Sequence, residues 1–160
     1  MKYFLLSILT VFLTSCTLPG TQIESLDETM VQYDGTGFSA AIPKSWTQAD
    51  ASLLPIPSKG TVAAAFIAPE VRYGFSHNYI IMVDEIKSPI TSRKYSELNH
   101  IQTTKNYLEY TKLQDSVITF SDTDTSILYV FEARYNKTTS QMKFLQTAKV
   151  CGTKVYLLHA

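Results

Sequence analysis

Residues 79–86, YIIMVDEI, give the clearest indication of the fold. The first five of these residues are apolar, so a strand here would present apolar side chains on both of its alternating faces. A strand that is apolar on both faces has to be covered on both sides of its sheet. The sequence therefore predicts a layered domain in which a central sheet lies between two covering layers.

Segments with strand character lie on both sides of this stretch. They are residues 30–33, 38–42, 62–68, 117–120, 127–135, 142–150 and 155–158. Asp34-Gly35 predicts a two-residue turn between the first two strands, because both turn positions favour positive φ. Pro69 predicts the end of the strand before it, and residues 72–77 are predicted to form a turn. The pattern favours a mostly antiparallel sheet.

One segment, about residues 92–109, has helical character, and Thr91 or Ser92 can serve as its N-cap. Its apolar residues fall near one stripe at helical spacing. They are Tyr95, Leu98, Ile101 and Leu108. We expect this stripe to pack on the sheet and the polar residues between to face solvent.

The first 17 residues, MKYFLLSILTVFLTSCT, predict export from the cytoplasm. Lys2 gives a short positive start, and residues 3–14 form an apolar core interrupted only by small hydroxyl residues. A membrane-spanning helix needs roughly 20 apolar residues, and this core is shorter. It is typical of a secretory signal peptide.

Residues 13–16, LTSC, resemble the bacterial lipobox, in which a peptidase cuts before a cysteine that already carries diacylglycerol. The resemblance implies cleavage between Ser15 and Cys16 and lipid attachment at Cys16. Stable anchoring needs two lipid signals, and a diacylglyceryl thioether supplies two acyl chains. Thr17 is not the aspartate associated with inner-membrane retention, which favours the outer membrane if there is one and otherwise the outer face of the plasma membrane. The alternative is an ordinary apolar N-terminus with a chance cysteine.

Length and charge fit one globular domain and give no sign of nucleic-acid binding. The chain has 160 residues, with 14 basic and 14 acidic side chains. A nucleic-acid site needs a strong basic excess, which this balance does not provide. We divide the chain into a signal peptide (1–15), a flexible tether (16–29) and an α+β domain (30–160).

The two cysteines, Cys16 and Cys151, allow a disulfide by number alone. Lipidation of Cys16 would leave Cys151 as a lone thiol in an oxidising compartment, where a thiol is either buried or reactive. Because Cys151 ends an apolar strand, we expect it to be buried.

Several short motifs in the domain resemble those of PsbP-like domains. Residues 37–46, GFSAAIPKSW, are similar to the opening of that family, and residues 95–99, YSELN, to its helix start. Residues 144–146, FLQ, and 154–157, KVYL, resemble its late hairpin. The resemblance implies an α+β fold with a mostly antiparallel central sheet between helical layers, an α/β/α sandwich, and no catalytic residues, since its characterised members are binding or assembly factors.

Relatives in that family continue past the late hairpin into a C-terminal helix, whereas this sequence ends at Ala160. We therefore expect the C-terminal helix to be absent, with only one helix to cover a sheet that needs two covered faces. Three explanations stay open: a truncated sequence, cover by N-terminal residues, or cover by a partner.

No set of residues in the sequence forms a catalytic or metal-binding pattern. There is no G-x-S-x-G elbow, and the three histidines, His77, His100 and His159, lack the spacings of zinc ligands. Asp122 and Asp124 have the spacing of a calcium loop without its glycine and distal glutamate, and we interpret them as turn residues.

These observations predict a non-enzymatic, lipid-anchored envelope protein that binds or helps assemble another envelope component, without a cofactor or a metal. The expected partners are the membrane, through lipidated Cys16, and a protein of the envelope, with no nucleic acid. The alternative is an envelope lipoprotein that binds a small molecule or a metal at the 69–78 loop, where Arg72 and His77 would be the contacts. An enzyme of an unrecognised type is a third possibility.

Overall fold

The structure is a computed structural model that describes residues 26–50, 52, 54, 59–72 and 75–160. The predicted signal peptide and most of the predicted tether lie outside these residues. The described elements, in chain order, are β1 (Met30–Gly35), β2 (Phe38–Pro43), β3 (Thr47–Gln48), β4 (Thr61–Arg72), β5 (Phe75–Glu85), α1 (Ser92–Asn106), β6 (Leu108–Thr119), β7 (Thr125–Arg134), β8 (Met142–Cys151) and β9 (Lys154–His159).

The strands form two antiparallel sheets. Strands β1 and β2 form a separate hairpin, and the other seven form a sheet in the order β3-β4-β5-β9-β8-β7-β6. The last strand, β9, is therefore the central strand, paired with β5 on one side and with β8 on the other. The antiparallel sheet predicted from the sequence is confirmed.

The β1–β2 hairpin covers one face of the large sheet. Alternate residues of β2 and of the sheet form one buried cluster, which includes Phe38, Ala40, Ile42, Phe66, Tyr79, Ile81, Tyr156 and Leu158. The Tyr33 ring meets the Phe66 ring edge to face, with the centroids 5.0 Å apart. Cover of this face by N-terminal residues, one of the three explanations left open above, is what the structure shows.

Helix α1 lies against the opposite face, over β7 and β8. Val155 and Leu157 alternate along β9 with the residues that face the hairpin, and they pack in a cluster with Tyr95 of the helix. The predicted α/β/α sandwich is therefore wrong, because the described chain is mostly antiparallel β with a single helix on one face and a β-hairpin on the other. The hairpin covers the sheet face that a second helix was expected to cover. It can do so because Phe38, Ala40 and Ile42 place apolar side chains on one side of a strand.

Helix α1 packs on the sheet with the face opposite to the one that the sequence predicts. The buried residues of the helix are Ser92, Ser96 and Thr103. Leu98 and Ile101 are 48% and 52% exposed, so the predicted packing stripe is wrong for these two residues, whereas Tyr95 packs against the sheet as predicted. Small hydroxyl side chains can bond to the sheet at short range: Ser96 Oγ, for example, donates to the Ile127 carbonyl at 2.8 Å. The N-cap is Thr91, as predicted, and its side chain accepts from the Lys94 N–H.

Several boundaries differ from the predicted ones. Strand β5 begins at Phe75, inside the predicted 72–77 turn, and β6 begins at Leu108, well before the predicted 117–120 strand. The first hairpin turns at Thr36-Gly37 rather than at Asp34-Gly35, and Gly37 has a φ of +83° that suits glycine. Strand β4 continues past Pro69 to Arg72, because a break in register between Ile67 and Val71 accommodates the proline. Helix α1 ends at Asn106, since the chain enters β6 at Leu108.

Candidate functional site

The predicted lipid site, Ser15-Cys16, lies outside the described residues. Its counterpart in the domain, Cys151, is at the end of β8, where it is partly buried and disulfide-bonded. The lone thiol was predicted for a chain in which Cys16 carries lipid, and it stays a prediction.

The structure places Arg72 and His77 on two paired strands rather than in a loop. Arg72 is the last residue of β4, and its backbone pairs with Phe75 at the start of β5. His77 is exposed, and its ring meets the Phe75 ring edge to face at 6.3 Å between centroids. Among the described residues, no group of three or more His, Cys, Asp or Glu side chains could hold a metal ion. A ligand role for Arg72 and His77 stays a prediction.

The most concentrated polar site in the described chain is centred on Lys149 of β8. Its side chain is only 3% exposed, and its Nζ lies 2.7 Å from Asp122 Oδ2 and 2.8 Å from Asp124 Oδ2. The ammonium group also lies over the Phe120 ring, 5.1 Å from the centroid. Burial of a lysine is costly unless the charge is paired, and here two carboxylates pair with it.

Ser92, the first residue of α1, joins this cluster to the helix. Its hydroxyl donates to Asp124 Oδ2 and accepts from the Val150 backbone N–H at 2.7 Å. The β7–β8 ladder pairs residues 129–133 with residues 142–146, so Val150 lies beyond it. Ser92 therefore supplies the hydrogen-bond acceptor for that N–H, and the cluster fixes the start of the helix to the sheet.

The hydrogen bonds of this cluster favour the ionised form of Asp124. Burial raises the pKa of Asp124, but hydrogen bonds from Lys149 and Ser92 lower it more, so the pKa lies below its ordinary value. The carboxylate therefore stays ionised and keeps Lys149 paired. The Ser92 hydroxyl is already bonded to Asp124 and to the Val150 N–H, and the serine is only 1% exposed, which leaves it little access to a substrate. The arrangement is structural rather than nucleophilic.

Sequence reasoning overlooked Lys149 because it alternates with apolar residues in a strand, where a lysine is ordinarily solvent-facing. Asp122 and Asp124 were correctly interpreted as turn residues, since they lie between β6 and β7. A signal was present: two aspartates close together in a tight turn need a cation or a set of donors to offset their repulsion.

A second polar chain crosses from α1 to the central strand. Thr103 Oγ1 donates to Gln146 Oε1 at 2.9 Å, and Gln146 Nε2 then donates to His159 Nδ1 at 3.3 Å. His159 Nε2 lies 3.5 Å from the Tyr107 hydroxyl just after the helix. Burial lowers the pKa of His159 to about 4, so the ring is neutral at physiological pH.

This burial predicts that the protein loses stability in mild acid. In the unfolded chain His159 takes up a proton near its ordinary pKa of about 6.5, whereas in the folded chain it does so only near 4. The free energy of unfolding therefore falls as the pH drops below about 6.5, by about 2 kcal/mol between pH 7 and pH 5 from this group alone.

Urea unfolding at several pH values measures the effect, with His159→Gln as the variant and His77→Gln as the exposed control. The difference in stability between wild type and His159→Gln should shrink steadily from neutral to acid pH. An equal pH dependence in both variants would contradict the assignment.

Within the described chain, α1 is a 15-residue helix with charged outer positions, and no described helix qualifies as a membrane span. Comparison of the sequence with protein-family models and with curated proteins finds no match. The resemblance to PsbP-like domains stays a prediction, and the sandwich fold that it implied is corrected above.

Proposed function

We propose that this chain is a lipid-anchored protein of the bacterial cell envelope whose β-rich domain binds or helps assemble another envelope protein without catalysing a reaction. Residues 13–16, LTSC, directly after a short apolar core, are the observation that carries the proposal. The lipid on Cys16 holds the domain at the extracytoplasmic side of the membrane, at the outer membrane where there is one.

The domain suits this role because its described polar clusters are used in folding. Lys149 is occupied by Asp122 and Asp124, and Gln146 and His159 bond to each other. Exposed apolar side chains remain on the hairpin arm of β4 and β5, where Val71 is 67% and Phe75 41% exposed. Such side chains suit contact with another macromolecule.

The proposal also has a consequence for the bonding of Cys151. A Cys16 sulfur that carries a thioether lipid cannot form a disulfide as well. We expect the mature lipoprotein to carry Cys151 without a bond to Cys16.

Replacing the anchoring cysteine tests the function directly. With Cys16→Ser, we expect the protein to lose its fatty-acid label and its stable membrane binding, because the thioether needs the cysteine sulfur and the acyl chains supply the anchor. Fractionation of bacterial envelopes and metabolic labelling with a fatty-acid analogue measure this. Cys151→Ser is the matched control and should remain labelled and membrane-bound. Equal labelling of Cys16→Ser and wild type would refute the anchor.

A further inference from the structure

The outward side of helix α1 carries an apolar pair between two lysines. Lys94, Leu98, Ile101 and Lys105 follow one another at intervals of four, three and four residues, which places them on one side of a helix over about 16 Å. Leu98 and Ile101 are about half exposed, and both lysines are exposed. We call these four residues the outer face of α1.

The composition of this face is the reverse of that of an ordinary packing helix. The buried side chains of the helix are all hydroxyl residues, while the apolar pair points away from the sheet. The helix as a whole carries Arg93, Lys94 and Lys105 against a single carboxylate, Glu97, which lies 3.3 Å from Arg93 and 3.9 Å from Lys94. The face is therefore both apolar and net positive.

The size and shape of the outer face favour a lipid surface over a protein. A stable protein interface buries about 800 Å² on each partner, and two half-exposed aliphatic side chains supply only a small part of that. Both aliphatic residues lie on the side of the helix that faces away from the sheet, where they can meet a flat surface. Aliphatic side chains can enter the headgroup boundary while flanking lysines reach anionic lipid phosphates.

We propose that the outer face of α1 rests on the anionic phospholipid surface to which the chain is anchored, and so fixes the orientation of the domain. This inference depends on the proposed lipid anchor, because the anchor supplies the high local concentration that makes a weak surface contact effective. The predicted tether (16–29) can extend to about 45 Å. The domain has a radius of gyration of about 14 Å, so the anchor leaves the helix free to reach the membrane.

Fluorescence quenching tests the orientation on the lipidated protein incorporated into vesicles of brominated phosphatidylglycerol and phosphatidylcholine. The chain has one tryptophan, Trp46, so a probe at the outer face is Trp46→Phe with Leu98→Trp. The matched control is Trp46→Phe with Val31→Trp, since Val31 is 47% exposed on the hairpin at the opposite face of the sheet. We expect strong quenching of the probe at 98 and weak quenching at 31.

The lysines provide the second measurement. Adding Lys94→Gln and Lys105→Gln to the probe at 98 should weaken docking by about 25-fold, at about a factor of five for each lysine near an anionic surface. Carbonate washing reports the anchor separately: release of the protein refutes the proposed function. Retention with equal quenching at 31 and 98, or with no effect of the lysines, overturns the orientation alone. If the probe at 98 were protected from solvent only in native envelopes and not in vesicles, the outer face would bind a protein instead. That result would also overturn the proposed contact with lipid.

Discussion

Replacing Phe131 with alanine should lower the free energy of unfolding by about 3 to 5 kcal/mol, the range for removal of a fully buried aromatic side chain. Phe131 is completely buried in β7. Its ring lies 5.1 Å from Tyr110, 5.2 Å from Phe144 and 5.8 Å from Tyr107, measured between centroids. The substitution would therefore leave a cavity between α1 and the sheet.

Chemical denaturation measures this effect, and Tyr135→Ala is the matched control. Tyr135 also meets the Tyr107 ring, at 6.0 Å, but it is 62% exposed. We expect the control to lose less than about 1 kcal/mol, because most of its surface is already in water. Similar losses in the two variants would contradict the packing of the helix on this aromatic cluster.

The second large effect is expected from Lys149→Met, which keeps the length of the side chain and removes its charge. The substitution leaves Asp122 and Asp124 close together without the ammonium group that lies within 2.8 Å of both. Removing one partner of a buried ion pair costs about 3 to 5 kcal/mol, and we expect about 3 here because both carboxylates retain some contact with water. Thermal or urea unfolding at neutral pH measures the loss.

Two further variants separate the charge effect from packing. Lys143→Met changes an exposed lysine of the same strand, and it should cost less than about 1 kcal/mol. The triple variant Lys149→Met, Asp122→Asn, Asp124→Asn removes the repulsion, and it should recover most of the stability. If the triple variant were no more stable than Lys149→Met, the ion pairs would not be the cause.

Because of the same ion pairs, the free energy of unfolding depends on pH in the acid range. The folded pKa of Asp124 lies below its ordinary value of 3.8, so its contribution is fully present above that value. The contribution is lost as the pH falls through the lower folded pKa. In Lys149→Met this part of the acid dependence should be reduced.

The sequence predicted the strands well where apolar and polar residues alternate, as in β7 and β8. The prediction failed where a single residue was interpreted without its neighbours in the folded chain. Pro69 is compatible with β4 because the ladder is already irregular there, which no local pattern indicates. The hairpin that covers the sheet was predicted as a hairpin, but its role as a layer depends on contacts between residues far apart in sequence.

Helix α1 shows most clearly how far the packing of an element can be predicted from sequence periodicity. Periodicity placed Leu98 and Ile101 on the packing side, because apolar residues are ordinarily buried. The sheet beneath the helix already contains Tyr129 and Phe131, and it offers backbone groups that need hydrogen-bond partners. Serine and threonine meet that need. Which face of a weakly amphipathic helix is buried therefore depends on the partner surface.

The lipid site depends on sequence alone, since residues 13–16 lie outside the described residues. Intact-mass and N-terminal peptide analysis of the protein purified from its own envelope tests it most directly. The account predicts a mature chain that begins at Cys16 with a diacylglycerol thioether and in which Cys151 is not bonded to Cys16. A chain that retains Met1, or that contains a Cys16–Cys151 disulfide without lipid, would contradict it.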